Sequence, residues 1–236
     1  QNLPNGEVWL AAFRTPGIIP VYDENSSLNP YPTKYGSPAQ IGLSEYYYNP
    51  AIPQVRQLII DGVKEIVTNY EVDGIHFDDY FYPAKAKGAQ FSKVSVAKRK
   101  RVINKMVQTI YSTVKKQDEK LLFGISPAGN IEYAESLGCD LATWLSEDGY
   151  IDYIVPQIYW SDQYRMGRKV TSLYTNRLNK WVNLNKNNTP MYIGLATYRA
   201  GTYSSSDLGW RRKNNNLVSQ IKKEKAAGCD GFVLFS

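Results

Sequence analysis

Histidine and cysteine are nearly absent from this 236-residue chain, which holds one histidine, His76, and two cysteines, Cys139 and Cys229. Two cysteines cannot build a disulfide framework or a multi-cysteine zinc module, and one histidine excludes multi-histidine metal centres. A Ser-His triad would have to run through His76 alone. No apolar run approaches the roughly 18 residues that span a bilayer, so no transmembrane segment is expected. No Gly-rich dinucleotide turn or P-loop follows any apolar run, and Gly194 to Gly201 has the wrong spacing. No metal or cofactor is expected. What is plentiful is aromatic surface: Tyr 19, Phe 7 and Trp 5, or 13% of the chain. Tyrosine suits surfaces that are flat and hydrogen-bonding, as sugar-binding clefts are.

The net charge is +6, which favours polyanionic surroundings. Lys93, Lys98, Arg99, Lys100, Arg101, Lys105, Lys115 and Lys116 cluster on a stretch where Val94, Val102, Met106, Ile110 and Val114 recur at helical steps. That pattern reads as an amphipathic helix with a solvated basic face, and no RNA-binding or helix-turn-helix signature accompanies it. Nucleic acid is therefore not an expected partner. The chain begins at Gln1, without Met and without a charged-then-apolar leader, which suggests a processed piece.

Apolar runs at Val8–Phe13, Gly74–Phe77, Leu121–Ile125, Ile151–Ile158, Met191–Ala196 and Phe232–Phe235 predict strands. Helical periodicity predicts helices over Pro53–Tyr70, Ser92–Gln117, Lys169–Leu184 and Asp207–Ala227. The alternation predicts an α/β fold on a parallel sheet. Similar strand starts at Val72-Asp73-Gly74, Ile151-Asp152-Tyr153 and Cys229-Asp230-Gly231 favour a TIM-type (β/α) barrel formed as one domain over 1–236. Six βα units are visible where a complete barrel has eight. Either two N-terminal units are missing or the barrel is open there.

Barrel chemistry sits where strands end, whereas Asp73, Asp152 and Asp230 precede their strands and are expected to be structural. The sharpest strand end is Asp78-Asp79-Tyr80, just after His76-Phe77. Two adjacent carboxylates raise one another's proton affinity, as glycoside hydrolysis requires of an acid and its partner. Capping or turn-binding is the structural alternative for either residue. Asp78, expected to be the more enclosed, is the candidate protonated or sugar-orienting group, and Asp79 the candidate attacking or water-activating group. Asp162 is the candidate second carboxylate across the cleft. Arg14, His76, Tyr80, Asn130, Gln157, Tyr159, Trp160, Tyr198 and Arg199 are candidate sugar contacts. Tyr159 and Trp160 offer a stacking platform, with core packing as the alternative.

Three strings carry a family resemblance: Tyr48-Asn49-Pro50-Ala51-Ile52-Pro53-Gln54-Val55-Arg56, Asn69-Tyr70-Glu71-Val72 running on through Asp-Gly-Ile-His-Phe-Asp-Asp-Tyr-Phe-Tyr to Pro83, and Tyr153-Ile154-Val155-Pro156-Gln157-Ile158-Tyr159-Trp160. With Ile125-Ser126-Pro127 between the last two, the chain resembles the bacterial glycosyl-hydrolase-like family 10, formerly domain of unknown function 187. The resemblance runs from about Val8 to the end. It implies a TIM-type barrel, a bacterial envelope or secreted setting, and action on peptidoglycan glycan strands that have lost their stem peptides. Two βα units that usually open the family are not visible. Val8 to Arg14 resembles its third strand, with Ala-Ala-Phe-Arg in place of Asn-Pro-Tyr-Arg. Asp73 to Tyr80 is also similar to the Asp-Gly-x-Asp-x-Asp-x-Glu strand of family-18 chitinases, but His76 and Tyr80 replace its middle Asp and final Glu. The substrate-assisted chitinase route is therefore not expected. The leading reading is a monomeric glycoside hydrolase of N-acetylated glycan. A glycan-binding module without activity is the alternative, and a polyanion-binding protein ranks last.

Overall fold

The computed structural model describes residues 8–10, 49–83, 93–211 and 215–236. Six strands run parallel in the order β1 (Val8–Leu10), β2 (Gly74–Phe77), β3 (Leu122–Ile125), β4 (Tyr153–Ile154), β7 (Tyr192–Ala196) and β8 (Gly231–Phe235). Bridges Ile154↔Met191 and Gln157↔Gly194 join the β4 region to β7. Among the described residues, β1 pairs only with β2 and β8 only with β7. The expected strand over Ile151–Ile158 shrinks to Tyr153–Ile154, because Pro156 offers no N–H to a ladder. Pairing resumes at Gln157, whose N–H donates to Pro127 O at 3.0 Å.

Helix α1 (Pro53–Asn69) begins with Pro where the amide would be unpaired anyway, and it buries Val63 and Val67. Helix α2 (Val96–Gln117) starts four residues later than expected, where the Ser95 side chain accepts from Lys98 N. It buries Ile103, Met106, Val107, Ile110 and Val114 against the sheet. Its basic run is only partly a solvated face. Arg99 is buried and donates to Ser136 O at 2.7 Å, Lys100 bridges Glu135 and Asp140, and Lys115 pairs with Asp152 at 2.7 Å.

Two short helices follow β3, namely α3 (Ile131–Ser136) and α4 (Leu141–Trp144). The expected helix over Lys169–Leu184 splits. Lys169–Thr171 (β6) instead closes an antiparallel hairpin with Tyr164–Met166 (β5), turning at Gly167 with φ +63°, and α5 spans Leu173–Leu184. A positive φ breaks helical continuity and suits a two-residue hairpin turn. The last helix, α6 (Asn216–Ala226), is likewise shorter than periodicity suggests. Buried Asp207 anchors a separate 3-10 turn at Leu208–Trp210 by accepting from Ser161 N at 3.1 Å and Trp210 Nε1 at 2.9 Å.

Aspartates at the strand beginnings act as staples. Asp152 Oδ2 accepts from Phe123 N at 2.7 Å and Asp230 Oδ2 from Met191 N at 2.8 Å, each tying a strand to its neighbour. Asp73 does the same through its carbonyl, which accepts from Leu122 N at 3.0 Å. Glycine matters in the sheet interior at Gly124. The Tyr153 ring lies across its α-carbon in the space a Cβ would occupy.

Candidate functional site

Parallel strands deliver their last residues to one edge of the sheet, and there the β2, β3 and β4 ends meet. Gln157 is the hub. Its Nε2 donates to Asp78 Oδ1 at 2.5 Å, to Ser126 O at 2.9 Å and to Ser126 Oγ at 3.3 Å. Ser126 Oγ in turn donates to Val155 O at 2.9 Å. Asp78 Oδ1 also accepts from Asp79 N at 2.8 Å, which fixes its rotamer while the residue stays exposed. Tyr80 takes φ +72°, a left-handed conformation that costs a non-glycine residue about 1–2 kcal/mol. That twist turns the chain so that Phe81 and Tyr82 are fully buried. Backbone strain of this kind concentrates at functional turns.

The two carboxylates occupy different environments, with the enclosure opposite to the sequence expectation. Asp79 is the withdrawn one. Burial raises its carboxyl to about 6, the Tyr80 N–H bond opposes that, the Asp78 charge adds to it, and the Ala128 N–H bond opposes it again. Its Oδ1 is buried without a hydrogen-bond partner. Asp78 was expected to be the enclosed one of the pair, but it is exposed beside Gln157, and the left-handed turn at Tyr80 follows directly on the enclosed Asp79.

An aromatic wall stands beside Asp78. Tyr159 stacks on Phe235 with centroids 5.7 Å apart, and exposed Tyr198 meets both rings edge-on at 6.3 and 5.9 Å. The Tyr159 hydroxyl is pushed well above its usual range by burial and then by the Asp78 charge, so it stays a neutral donor. Arg199 lies behind this wall. Its Nη1 donates to Tyr159 O at 2.6 Å and sits 3.5 Å from Asp207.

Four other candidates take up different positions. Asp162 is tied to α5 and α6 by its bonds. It caps the start of α5, accepting from Thr175 N at 2.8 Å and Thr175 Oγ1 at 2.6 Å, and it pairs with Lys223. Burial alone would raise its carboxyl, but the bonds from Lys223 and Thr175 outweigh that and hold it below the ordinary carboxylate value. Asn130 caps α3 by accepting from Tyr133 N at 3.1 Å. His76 faces a cavity of about 430 Å³ near the strand beginnings, where Nδ1 and the Tyr153 hydroxyl are 3.0 Å apart. Burial lowers its pKa to about 3, which makes it a neutral ring in the physiological range. Trp160 carries the Arg177 guanidinium 3.6 Å above its ring. Arg14 lies outside the described residues. Ser126 and Phe235 were absent from the sequence-derived candidates, although both stand at strand ends, Ser126 right after β3 and Phe235 as the last residue of β8.

No cluster of His, Cys, Asp and Glu able to hold a metal occurs among the described residues. No described helix is long and apolar enough to cross a membrane.

The glycosyl hydrolase-like 10 family profile matches residues 33–101 and 94–212. The chain is 32% identical over 186 residues to the glycosyl hydrolase YngK of Bacillus subtilis, covering 66% of this chain and 35% of YngK. It is 31% identical over 209 residues to the glycosyl hydrolase DigH of Escherichia coli K12, covering 76% and 45%. It therefore spans less than half the length of these relatives. Among solved structures, the PgaB (BpsB) glycoside hydrolase domain of Bordetella bronchiseptica superposes with a TM-score of 0.56 at 12% identity, covering 98% of this chain and 70% of that domain. The catalytic domain of a beta-amylase from Paenibacillus polymyxa gives 0.51 at 12% identity, covering 81% and 66%. These likenesses assign the α/β fold to the TIM-barrel type.

Proposed function

The chain belongs to the glycosyl hydrolase-like 10 family of carbohydrate-active proteins, and on that premise we propose that it cleaves N-acetylated glycan, specifically bacterial peptidoglycan strands without stem peptides. The observation that carries this reading is the unequal carboxylate pair. Exposed Asp78 is oriented by Gln157 at the strand ends, and enclosed Asp79 holds its proton to about pH 6 directly behind it. Asp78 is the carboxylate that meets the sugar at the reacting carbon. Asp79 acts through it. Burial keeps the Asp79 carboxyl protonated up to about pH 6, so below that value it adds no charge beside Asp78. Tyr159, Tyr198 and Phe235 supply ring faces and edges for sugar C–H contacts.

The reading extends to an envelope or secreted bacterial setting and to a single (β/α) barrel domain over 1–236 that acts as a monomer. A glycan-binding module without turnover is the second reading. It is favoured by one observation, the commitment of Asp162 to Lys223 and Thr175, which leaves that carboxylate less free to serve as the second acid or base. Incubation with stem-peptide-free strands and with intact peptidoglycan, followed by product mass, separates the two. Saccharide products from the stripped strands alone are expected. Binding without products establishes the second reading, and neither binding nor products refutes both.

A further inference from the structure

The loops that leave the ends of β4 and β7 carry charge of one sign. Between Asp162 and Asp207 the chain holds seven Lys and Arg and no acidic residue. The two aspartates that bound this run are both engaged, Asp162 by Lys223 and Thr175, Asp207 by Ser161 and Trp210 with Arg199 3.5 Å away. The run is densest at the β5–β6 hairpin, where Arg165, Arg168 and Lys169 surround the turn at Gly167. All three are exposed, and none of their side chains has a hydrogen-bond or ion-pair partner among the described residues. Three like charges within five residues repel one another, and no internal anion offsets that cost. Met166 and Val170, 61% and 51% exposed, stand among them.

The hairpin belongs to the working edge of the sheet. From β4 the chain passes through Gln157, which holds Asp78, and Tyr159 of the aromatic wall, and then enters the hairpin. From β7 it passes through Tyr198 of the same wall and returns antiparallel beside β5. There Tyr164 bridges Asp207, and the Arg165 N–H donates to Ser206 O at 2.7 Å. On this second loop exposed Tyr203 carries the Arg211 guanidinium 5.0 Å from its ring centre. These bonds join the aromatic wall, Tyr203 and the hairpin tip into one rim.

We infer that this rim is an accessory binding surface for an anionic glycan strand, outside the Asp78 site, with Arg165, Arg168 and Lys169 receiving its carboxylates. The inference rests on the glycan reading above and narrows it to strands that bear negative charge. Charge complementarity calls for an anion, and continuity with the aromatic wall calls for a saccharide, whose C–H faces suit exposed rings. A peptidoglycan strand without stem peptides meets both demands, because removing the peptide uncovers a carboxylate on each lactyl group. One exposed ion pair contributes little, but a polymer engaging several at once gains from each.

The test is calorimetric binding of the whole chain to strands of alternating N-acetylglucosamine and N-acetylmuramic acid, as free acids and as methyl esters. The free acid is expected to bind about tenfold tighter than the ester, the combined effect of three exposed ion pairs. Added salt should shrink that difference. The variant R165Q/R168Q/K169Q should lose most of it while keeping its affinity for the ester and its melting temperature. Removing three exposed cations elsewhere, in K98Q/R101Q/K105Q on α2, should leave the difference in place. Equal binding of acid and ester by the unaltered protein overturns the surface and leaves the glycan reading intact. If both triple variants lose the difference alike, net charge is responsible and the surface is refuted. Hairpin-dependent binding to phosphatidylglycerol vesicles that is tighter than to the acidic strands overturns the glycan as occupant in favour of a membrane. Binding of neither form of the strand overturns the glycan reading itself.

Discussion

Replacing Asp79 with Asn separates the energetic cost of this residue from its use. Below about pH 4 the carboxyl is protonated in folded and unfolded chains alike, so its ionisation contributes nothing. As pH rises past 3.8 the unfolded chain releases the proton while the folded chain holds it to about 6. Ionisation therefore favours unfolding, and the penalty grows from pH 4 to 6 and stays constant above. A shift of about two units corresponds to about 3 kcal/mol at neutral pH. Asn retains an acceptor for the Tyr80 and Ala128 N–H groups and never ionises, but it places an amide where Oδ1 now lacks a partner. Allowing about 1 kcal/mol for that amide leaves a net gain of about 2 kcal/mol. For a domain of this size the gain is a rise of roughly 4–8 °C in melting temperature. Asp79→Asn should show that rise at pH 7.5, and little or none at pH 4.5, by differential scanning fluorimetry. In a turnover assay across the same range, the inflection near pH 6 should disappear while turnover at pH 5 falls less than about tenfold. Equal destabilisation at both pH values would refute the reasoning, because the carboxyl would then be a net stabilising ligand of its loop.

Asp78→Asn should lower turnover by at least about 10²-fold with a melting temperature within a few degrees of the unaltered protein, since the carboxylate is exposed and its acceptor to Asp79 N survives; retention of activity would move the chemistry elsewhere. Tyr198→Ala removes a ring that is 54% exposed, and it should weaken glycan binding severalfold in calorimetry while leaving the melting curve in place. Asp162→Ala should do the reverse. Loss of its bonds to Thr175 and Lys223 should cost about 1–2 kcal/mol in chemical denaturation, with turnover retained.

The strands at Gly74–Phe77 and Tyr192–Ala196 were legible because a buried parallel strand is a short apolar run bounded by turn residues, a purely local pattern, and Gly231–Phe235 carries the same run although its side chains are largely exposed. The same holds for α1 and α2, whose buried stripes repeat at helical steps. Parallel order then made the strand-end residues Asp78 and Gln157 readable as neighbours although 79 positions separate them. Locality also marks where legibility stops. Tyr164–Thr171 is a hairpin only because Gly167 turns the chain, and helical periodicity cannot express one positive φ. The enclosed Asp79 directly precedes the left-handed Tyr80, and its raised proton affinity depends on burial, a property of everything packed around it. Asp162, Asn130 and Arg199 looked like cleft residues by position but are held by Lys223, Tyr133 and Tyr159, partners the tertiary structure supplies. Residue type and spacing set which groups reach the working edge of the sheet. Which of them stay free to act was decided by hydrogen-bond competition in the packed structure, because a side chain already bonded to the protein has less to offer a ligand.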